Sequence, residues 1–243
     1  MHIIKLNAID STNSYLKAHC LNELVADYTA VITKNQTNGR GQMGTVWESQ
    51  SSKNLTFSVY KDVSSFNVEY PFYISMVVSL ALLKTLQFFS ISKLSVKWPN
   101  DILSENKKIC GILIENVVKQ SKFSSSIIGI GLNVNQVEFD NLPKASSLKL
   151  ITGRVYDLDE VSSIIIKNLK HYFNILKRGH LDVLKEKYEA SLFRKNKPST
   201  FQDAEGLMFS GIIKGVSDYG NLQILLEDDI IKEFDLKTVT LLY

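Results

Sequence analysis

The chain has 243 residues, 44% hydrophobic and 22% charged, enough to bury a core and to make one large domain plus a small one. A net charge of +3 is too small to argue for nucleic acid, no run is long and apolar enough for a membrane span, and Met1–Lys5 lacks a signal-peptide core. The two cysteines, Cys20 and Cys110, form no pair motif and fit a reducing cytosol, and the four histidines have no zinc-ligand spacing.

Ile3 to Leu6 predicts a first strand. Asp10-Ser11-Thr12-Asn13 is a run of helix-capping side chains, followed by Leu16, Cys20, Leu21 and Leu24 at helical spacing. Capping alone explains Ser11; the alternative is that these hydroxyls and amides bind a polar ligand head. After a β-rich run from Tyr28 to Thr33 comes the most unusual stretch of the chain, TKNQTNGRGQMGTVW. Gly39, Gly41 and Gly44 let backbone N–H groups face an anion, Arg40 adds a permanent cationic fork, Gln36 precedes them, and Trp47 offers a flat face. The glycines match the dinucleotide fingerprint GxGxxG, but no helix pattern opens from them, so a Rossmann fold is rejected. A phosphate-facing loop between two strands and a plain surface loop both stay open on this segment alone.

Asn54 to Tyr60 alternates, with Leu55, Phe57 and Val59 on one face and Thr56, Ser58 and Tyr60 on the other, as a half-buried strand does. Pro71 sits where a helix would begin, and Phe72 to Phe89 is apolar enough for a core helix. Val96-Lys97-Trp98-Pro99-Asn100-Asp101 reads as a strand stopped at Pro99. Asp101 to Leu103, a polar turn and Lys108 to Glu115 then predict a hairpin. The hairpin brings Asp101 and Lys108 together, either as an ordinary salt bridge or as a site for a metal-bound phosphate. Gly111 inside this strand, and Gly129 and Gly131 flanking Ile130 in SIIGIGLN, remove side chains from a strand face. That leaves either a slot for a flat ligand or tight packing, with Asn133 at its end.

Residues 137 to 156 read as irregular. Asp157 to Glu160 caps a helix to about Lys177, with Ile164, Ile165, Leu169, Tyr172, Phe173 and Leu176 inward, and His180 to Phe193 is a second amphipathic helix. After a basic linker ending at Pro198 come four β-like runs, Gly211 to Val216, Leu222 to Leu226, Ile230 to Phe234 and Val239 to Leu242, predicting a compact barrel. Residues 200 to 243 carry −5 against +8 for the rest, so the body is basic, which suits an anionic substrate or an acidic partner and equally a solvated surface without function.

Taken in order, Ser11-Thr12-Asn13, the loop from Gly39 to Trp47, Lys97 to Asp101, Lys108 to Leu113 and Gly129 to Asn133 resemble the motif series of the biotin–protein ligases. The resemblance covers nearly the whole chain. It implies an α+β fold: a mixed β-sheet backed by helices, like class II aminoacyl-tRNA synthetases, over residues 1–197, and a small barrel like a Src-homology-3 domain over 198–243. It implies formation of biotinyl-5'-AMP from biotin and ATP with Mg2+, then transfer of biotin to a lysine of a biotin carboxyl carrier protein, in the cytoplasm. Self-association through sheet edges stays open.

By matching position, the resemblance gives Ser11, Thr12, Asn13 and Gln36 to the biotin head. Gly39, Arg40, Gly41 and Gln42 fall to the closing loop, and Lys108 to the carboxylate or α-phosphate. Asp101 is given to metal or nucleophile, Trp47 and Asn133 to the adenine, and Gly111, Gly129, Ile130 and Gly131 to the slot. Gln42 stands where family members often carry a second arginine, which puts retention of the adenylate in question. Ten residues precede Ser11, too few for the operator-binding domain of regulatory members, so no nucleic-acid binding is expected. Lipoate–protein ligases share the catalytic fold and are the nearest rival; a non-enzymatic biotin or nucleotide sensor is the other.

Overall fold

The computed structural model describes residues 2–66, 69–119, 122–140, 142–236 and 238–243. Its first part runs β1 (Ile3–Ile9), α1 (Thr12–Asn22), β2 (Ala30–Gln36), β3 (Leu55–Asp62), α2 (Phe72–Phe88), β4 (Leu94–Lys97), β5 (Asp101–Ser104), β6 (Lys107–Lys119) and β7 (Lys122–Leu132). Three helices follow, α3 (Leu148–Thr152), α4 (Leu158–Lys177) and α5 (Leu181–Ala190). The seven strands form one mixed sheet in the order β1-β2-β3-β7-β6-β5-β4, in which β1 and β2 are parallel and the other neighbours antiparallel.

The period-2 alternation of the central strands divides the sheet into two unlike faces. Leu55, Phe57 and Val59 of β3, Cys110, Ile112 and Ile114 of β6, and Ile128, Ile130 and Leu132 of β7 belong to one apolar core with α2, α4 and α5. On the other face Ile127 meets Leu16 of α1 and Val31 of β2 in a small second cluster, and beyond it the face turns polar and glycine-rich. That second face carries the site.

Most helices and strands lie where the sequence places them. Ser11 caps α1, Asp157 caps α4 through Asp159 and Glu160, and Pro71 immediately precedes α2. Of the leucines read at helical spacing, however, only Leu16 is buried; Leu21 of α1 is exposed, and so is Leu24, which lies beyond the helix end. The irregular stretch contains the short helix α3, which is too brief to show periodicity.

The C-terminal part corrects one expectation. It contains five strands, β8 (Pro198–Asp203), β9 (Met208–Val216), β10 (Leu222–Leu225), β11 (Ile231–Phe234) and β12 (Val239–Leu242), in the order β11-β10-β9-β8-β12. All neighbours are antiparallel, but β11 and β12 end at opposite edges and do not pair among the described residues, so the sheet is open and no barrel forms. Closure needs edge strands that meet in register around the axis; here both edges have only four residues. Short edges also limit unwanted pairing. The strand missed from sequence, β8, follows the basic linker directly and has an interior face of only Ser199 and Phe201.

This open sheet shares the main core: Phe201, Ile213, Val216, Leu222, Ile224 and Phe234 join it. The turn at Gly220 fixes it to the first part. Trp98 Nε1 donates to the Gly220 carbonyl at 2.8 Å, and Gly220 adopts φ +92° with its Cα against the Phe72 ring. Gly220→Ala would meet both a disfavoured backbone conformation and the Phe72 ring, so we expect a loss of about 2–4 kcal/mol. Thermal unfolding followed by circular dichroism measures it; an unchanged Tm would mean that the turn relaxes freely.

Candidate active site

The polar face of the large sheet holds a cleft of about 480 Å³. Its first wall is the start of α1. Ser11 Oγ accepts the Ser14 N–H at 3.4 Å, a weak cap, while Thr12 and Asn13 are buried under the sheet's polar face. Gln36 Oε1, at the end of β2, accepts from the Thr12 N–H at 2.8 Å and the Thr12 hydroxyl at 3.1 Å. The Ser58 hydroxyl lies 2.7 Å from Thr12 Oγ1 and 2.5 Å from Asn13 Oδ1, to which it donates. Sequence reasoning gave Ser58 no role, although the alternation of β3 had already placed it on the face away from the core.

The floor is made of absent side chains. Register pairs Ser58 with Gly129, Thr56 with Gly131, and Gly131 with Gly111. A Cβ on Gly129 would stand 2.5 Å from Asn13 Oδ1, one on Gly111 2.9 Å from the Trp47 ring, and one on Gly131 would overlap that same ring. The three glycines thus let Asn13 and the Trp47 indole lie on the strands' backbone. The intervening Ile130 turns to the core, as alternation requires, while its backbone borders the cleft.

Over this floor runs the glycine loop. Trp47 N donates to Gly39 O at 2.9 Å and Gly41 N to Thr45 O at 2.7 Å, with a single 3-10 turn over Gln42–Gly44. No helix opens from the loop, in keeping with the rejection of a dinucleotide-binding fold. Arg40, Gly41, Gln42 and Trp47 line the cleft; Gly39 forms the turn beneath them and does not. The Arg40 guanidinium is half exposed and bonds Glu115 of β6, Nη2 to Oε2, at 3.1 Å.

The far wall is the predicted hairpin. Lys108 Nζ lies 2.7 Å from Asp101 Oδ1, close enough for charge pairing though not aligned as a hydrogen bond, and 5.6 Å from the Trp47 ring centroid. The cis peptide between Trp98 and Pro99 leads into Asn100, whose amide donates to Ile112 O at 2.8 Å and ties the turn to β6. Lys97 Nζ is 4.0 Å from Asp101 Oδ2. Burial, and then the positive charges of Lys108 and Lys144, hold the Lys97 pKa below its ordinary value against the pull of Asp101. Lys97 and Lys144 face the ring of Tyr243 from 5.2 and 4.1 Å.

Arg40, Asp101 and Lys108 therefore border one cleft together with Ser11, Thr12, Asn13, Gln36, Trp47 and the glycine floor. Asn133 does not reach it: its buried amide donates to Ser146 O at 3.0 Å and holds the segment behind the floor. Glu115, Lys97 and Lys144 were given no role from sequence, because what they touch depends on the register of β6 and on distant chain segments. An anionic group entering this cleft meets Arg40 and Lys108 from two sides, with a flat slot between them and hydrogen-bonding groups at the α1 end. Such a cleft is suited to joining a carboxylate to a nucleotide phosphate.

The model of the biotin/lipoate A/B protein ligase family matches residues 6–133, and the chain belongs to that family. The whole chain is similar to a biotin protein ligase from Aquifex aeolicus solved in complex with biotin and ATP, with 29% identity, a TM-score of 0.83, and 99% of this chain and 98% of that one covered. It is also similar to the bifunctional ligase/repressor BirA of Bacillus subtilis, 29% identical over 239 residues, which cover 95% of this chain and 71% of that protein. A third relative, the biotin–[acetyl-CoA-carboxylase] ligase of Mycobacterium tuberculosis, is 30% identical over 163 residues, 66% of this chain and 59% of that protein. No helix among the described residues is long and apolar enough to cross a membrane.

The packing of Trp47 onto the glycine floor gives a direct test. Gly131→Ala should push the indole off the strand. With only Trp47 and Trp98 in the chain, a red-shifted fluorescence spectrum at unchanged circular dichroism is the expected result. An unshifted spectrum would mean that Trp47 does not rest there in solution.

Proposed function

We propose that this chain is an ATP-dependent biotin–protein ligase: it makes biotinyl-5'-AMP and passes biotin to a lysine of a carboxyl-carrier protein. The observation that carries the reading is the shared cleft of Arg40 and Lys108 over a glycine floor, in a chain matching along its length a ligase solved with biotin and ATP.

In the first step a biotin carboxylate oxygen attacks the α-phosphorus of ATP, and the bond to pyrophosphate breaks. In the second, the carrier lysine's neutral amine attacks the acyl carbon, the bond to AMP breaks, and the amine's surplus proton leaves to solvent. Neither step needs an enzyme nucleophile; both build negative charge on phosphate oxygens, so positioning and fixed positive charge supply the catalysis.

The α1 start and Gln36, braced by Ser58, receive the biotin head. Arg40, with the backbone of Gly39, Gly41 and Gln42, closes on the carboxylate and phosphate, and Lys108 meets the charge developing at the α-phosphorus. Trp47 borders the adenine at the end of β7 marked by Asn133, over the slot of Gly111, Gly129, Ile130 and Gly131. Asp101 orients Lys108 and would hold Mg2+. Mg2+ bound there supplies charge screening on the phosphates. Residues 1–197 form the catalytic unit in this reading, and a reducing cytosol is the compartment that a chain with no paired-cysteine motif suits.

Exchange of radiolabelled pyrophosphate into ATP, dependent on biotin and not on lipoate, is the expected behaviour. Exchange with lipoate alone would move the chain to the other branch of the family, and nucleotide binding without exchange would make it a sensor. Lys108→Ala should lower the exchange rate about 10²- to 10³-fold; a near-wild-type rate would remove Lys108 from the chemistry.

A further inference from the structure

The Arg40 guanidinium is not free in the cleft. It is held by Glu115, a partly buried carboxylate on β6 that lies outside the cleft lining, while Asp101 and Lys108 lie within it. Glu115 Oε2 also accepts from Asn13 Nδ2 at 2.9 Å, so one carboxylate oxygen ties the loop's only cation to the polar wall of α1. The hold on Arg40 is a single bond through Nη2, not a bidentate fork, and such a bond exchanges readily. Lys17 Nζ stands 3.8 Å from the other oxygen, so Glu115 keeps a cationic neighbour and a hydrogen-bond donor if Arg40 leaves.

We infer that Glu115 is an internal competitor of the substrate's carboxylate for Arg40, and thereby a positioning residue that sets how readily the loop closes. The inference rests on the ligase reading. Whatever free energy the Arg40–Glu115 pair contributes is subtracted from what Arg40 can give to an incoming anion, because the guanidinium must give up one for the other. The pair also fixes where the loop waits: bonded to the strand that carries Lys108 and Gly111, so Arg40 has a short path to the cleft.

Glu115→Gln separates this role from a structural one, since a glutamine oxygen can still accept from Asn13 but no longer pairs as an anion with Arg40. Calorimetric titration with biotin and with biotinol, the neutral alcohol in which –CH2OH replaces the carboxylate, reads the effect. E115Q should bind biotin about threefold to tenfold more tightly and biotinol as wild type does. The gain should vanish on an Arg40→Gln background. Unchanged or weaker biotin binding by E115Q, or an equal gain for biotinol, overturns the competition. Glu115→Asp, which keeps the charge but withdraws it by one methylene, should give a smaller gain in the same direction and serves if E115Q does not fold; a loss of biotin affinity there also overturns it. Biotin-dependent pyrophosphate exchange by the wild-type protein keeps the two readings apart. Its absence takes down the ligase reading and this inference with it, whereas exchange with a flat E115Q titration removes the competition alone.

Discussion

The site depends on one steric constraint: three residues on two neighbouring strands, Gly111, Gly129 and Gly131, must have no side chain. Gly111 and Gly131 face each other in register, and Gly129 faces Ser58 on the next strand, so the vacancy is continuous across the sheet. Asn13 and the Trp47 indole rest directly on the exposed backbone. Everything else at the site is placed relative to that floor. The α1 start stands at one end, the Lys108–Asp101 hairpin at the other, and the glycine loop lies above. Side chains at these positions would collide with Asn13 and the Trp47 indole and fill the slot beneath them.

The same sheet shows how a fold can serve packing and chemistry with one pattern. Where β3, β6 and β7 cross the cleft, the core side chains Phe57, Ile112 and Ile130 sit between cleft-facing Thr56, Gly111, Gly129 and Gly131, so the apolar positions anchor the polar ones. A one-residue slip would turn Ser58 toward the apolar core and Phe57 toward the cleft face. The electrostatics are arranged along the strands as well. Strands β4, β5 and β6 bring Lys97, Asp101 and Lys108 together, and Glu115 lies farther along β6, so these charged groups are carried on strands held by backbone hydrogen bonds.

Much of this was legible in the sequence, for reasons that differ by element. The capped helix start and the hairpin of Asp101 and Lys108 are local, so spacing and turn residues are enough to find them. The strand glycines stand out because glycine weakens a strand, and inside an apolar run it signals a close approach to the backbone. Glu115 was invisible because its partners, Asn13 and Arg40, lie more than seventy positions away along the chain. Ser58 had a faint signal in the alternation of β3, but a serine on a polar face announces nothing by itself. The closed barrel failed for a related reason. Short β-like runs reveal strands, but whether the outer two meet is a property of twist and register that four-residue segments do not encode.

Tyr243 joins the second sheet to the first. Its ring lies against the ammonium groups of Lys97 and Lys144, and its carbonyl accepts from Lys144, so the residue that follows β12 is pressed onto the cationic end of the large sheet. Trp98 makes the reciprocal contact through Gly220. A local opening that frees β12 would let water reach Lys97, relieve its dehydration and let its ammonium swing away from Asp101. The smaller sheet thus bears on the electrostatics of the cleft's far wall, because the residue at its rim covers Lys97 where it stands beside Asp101.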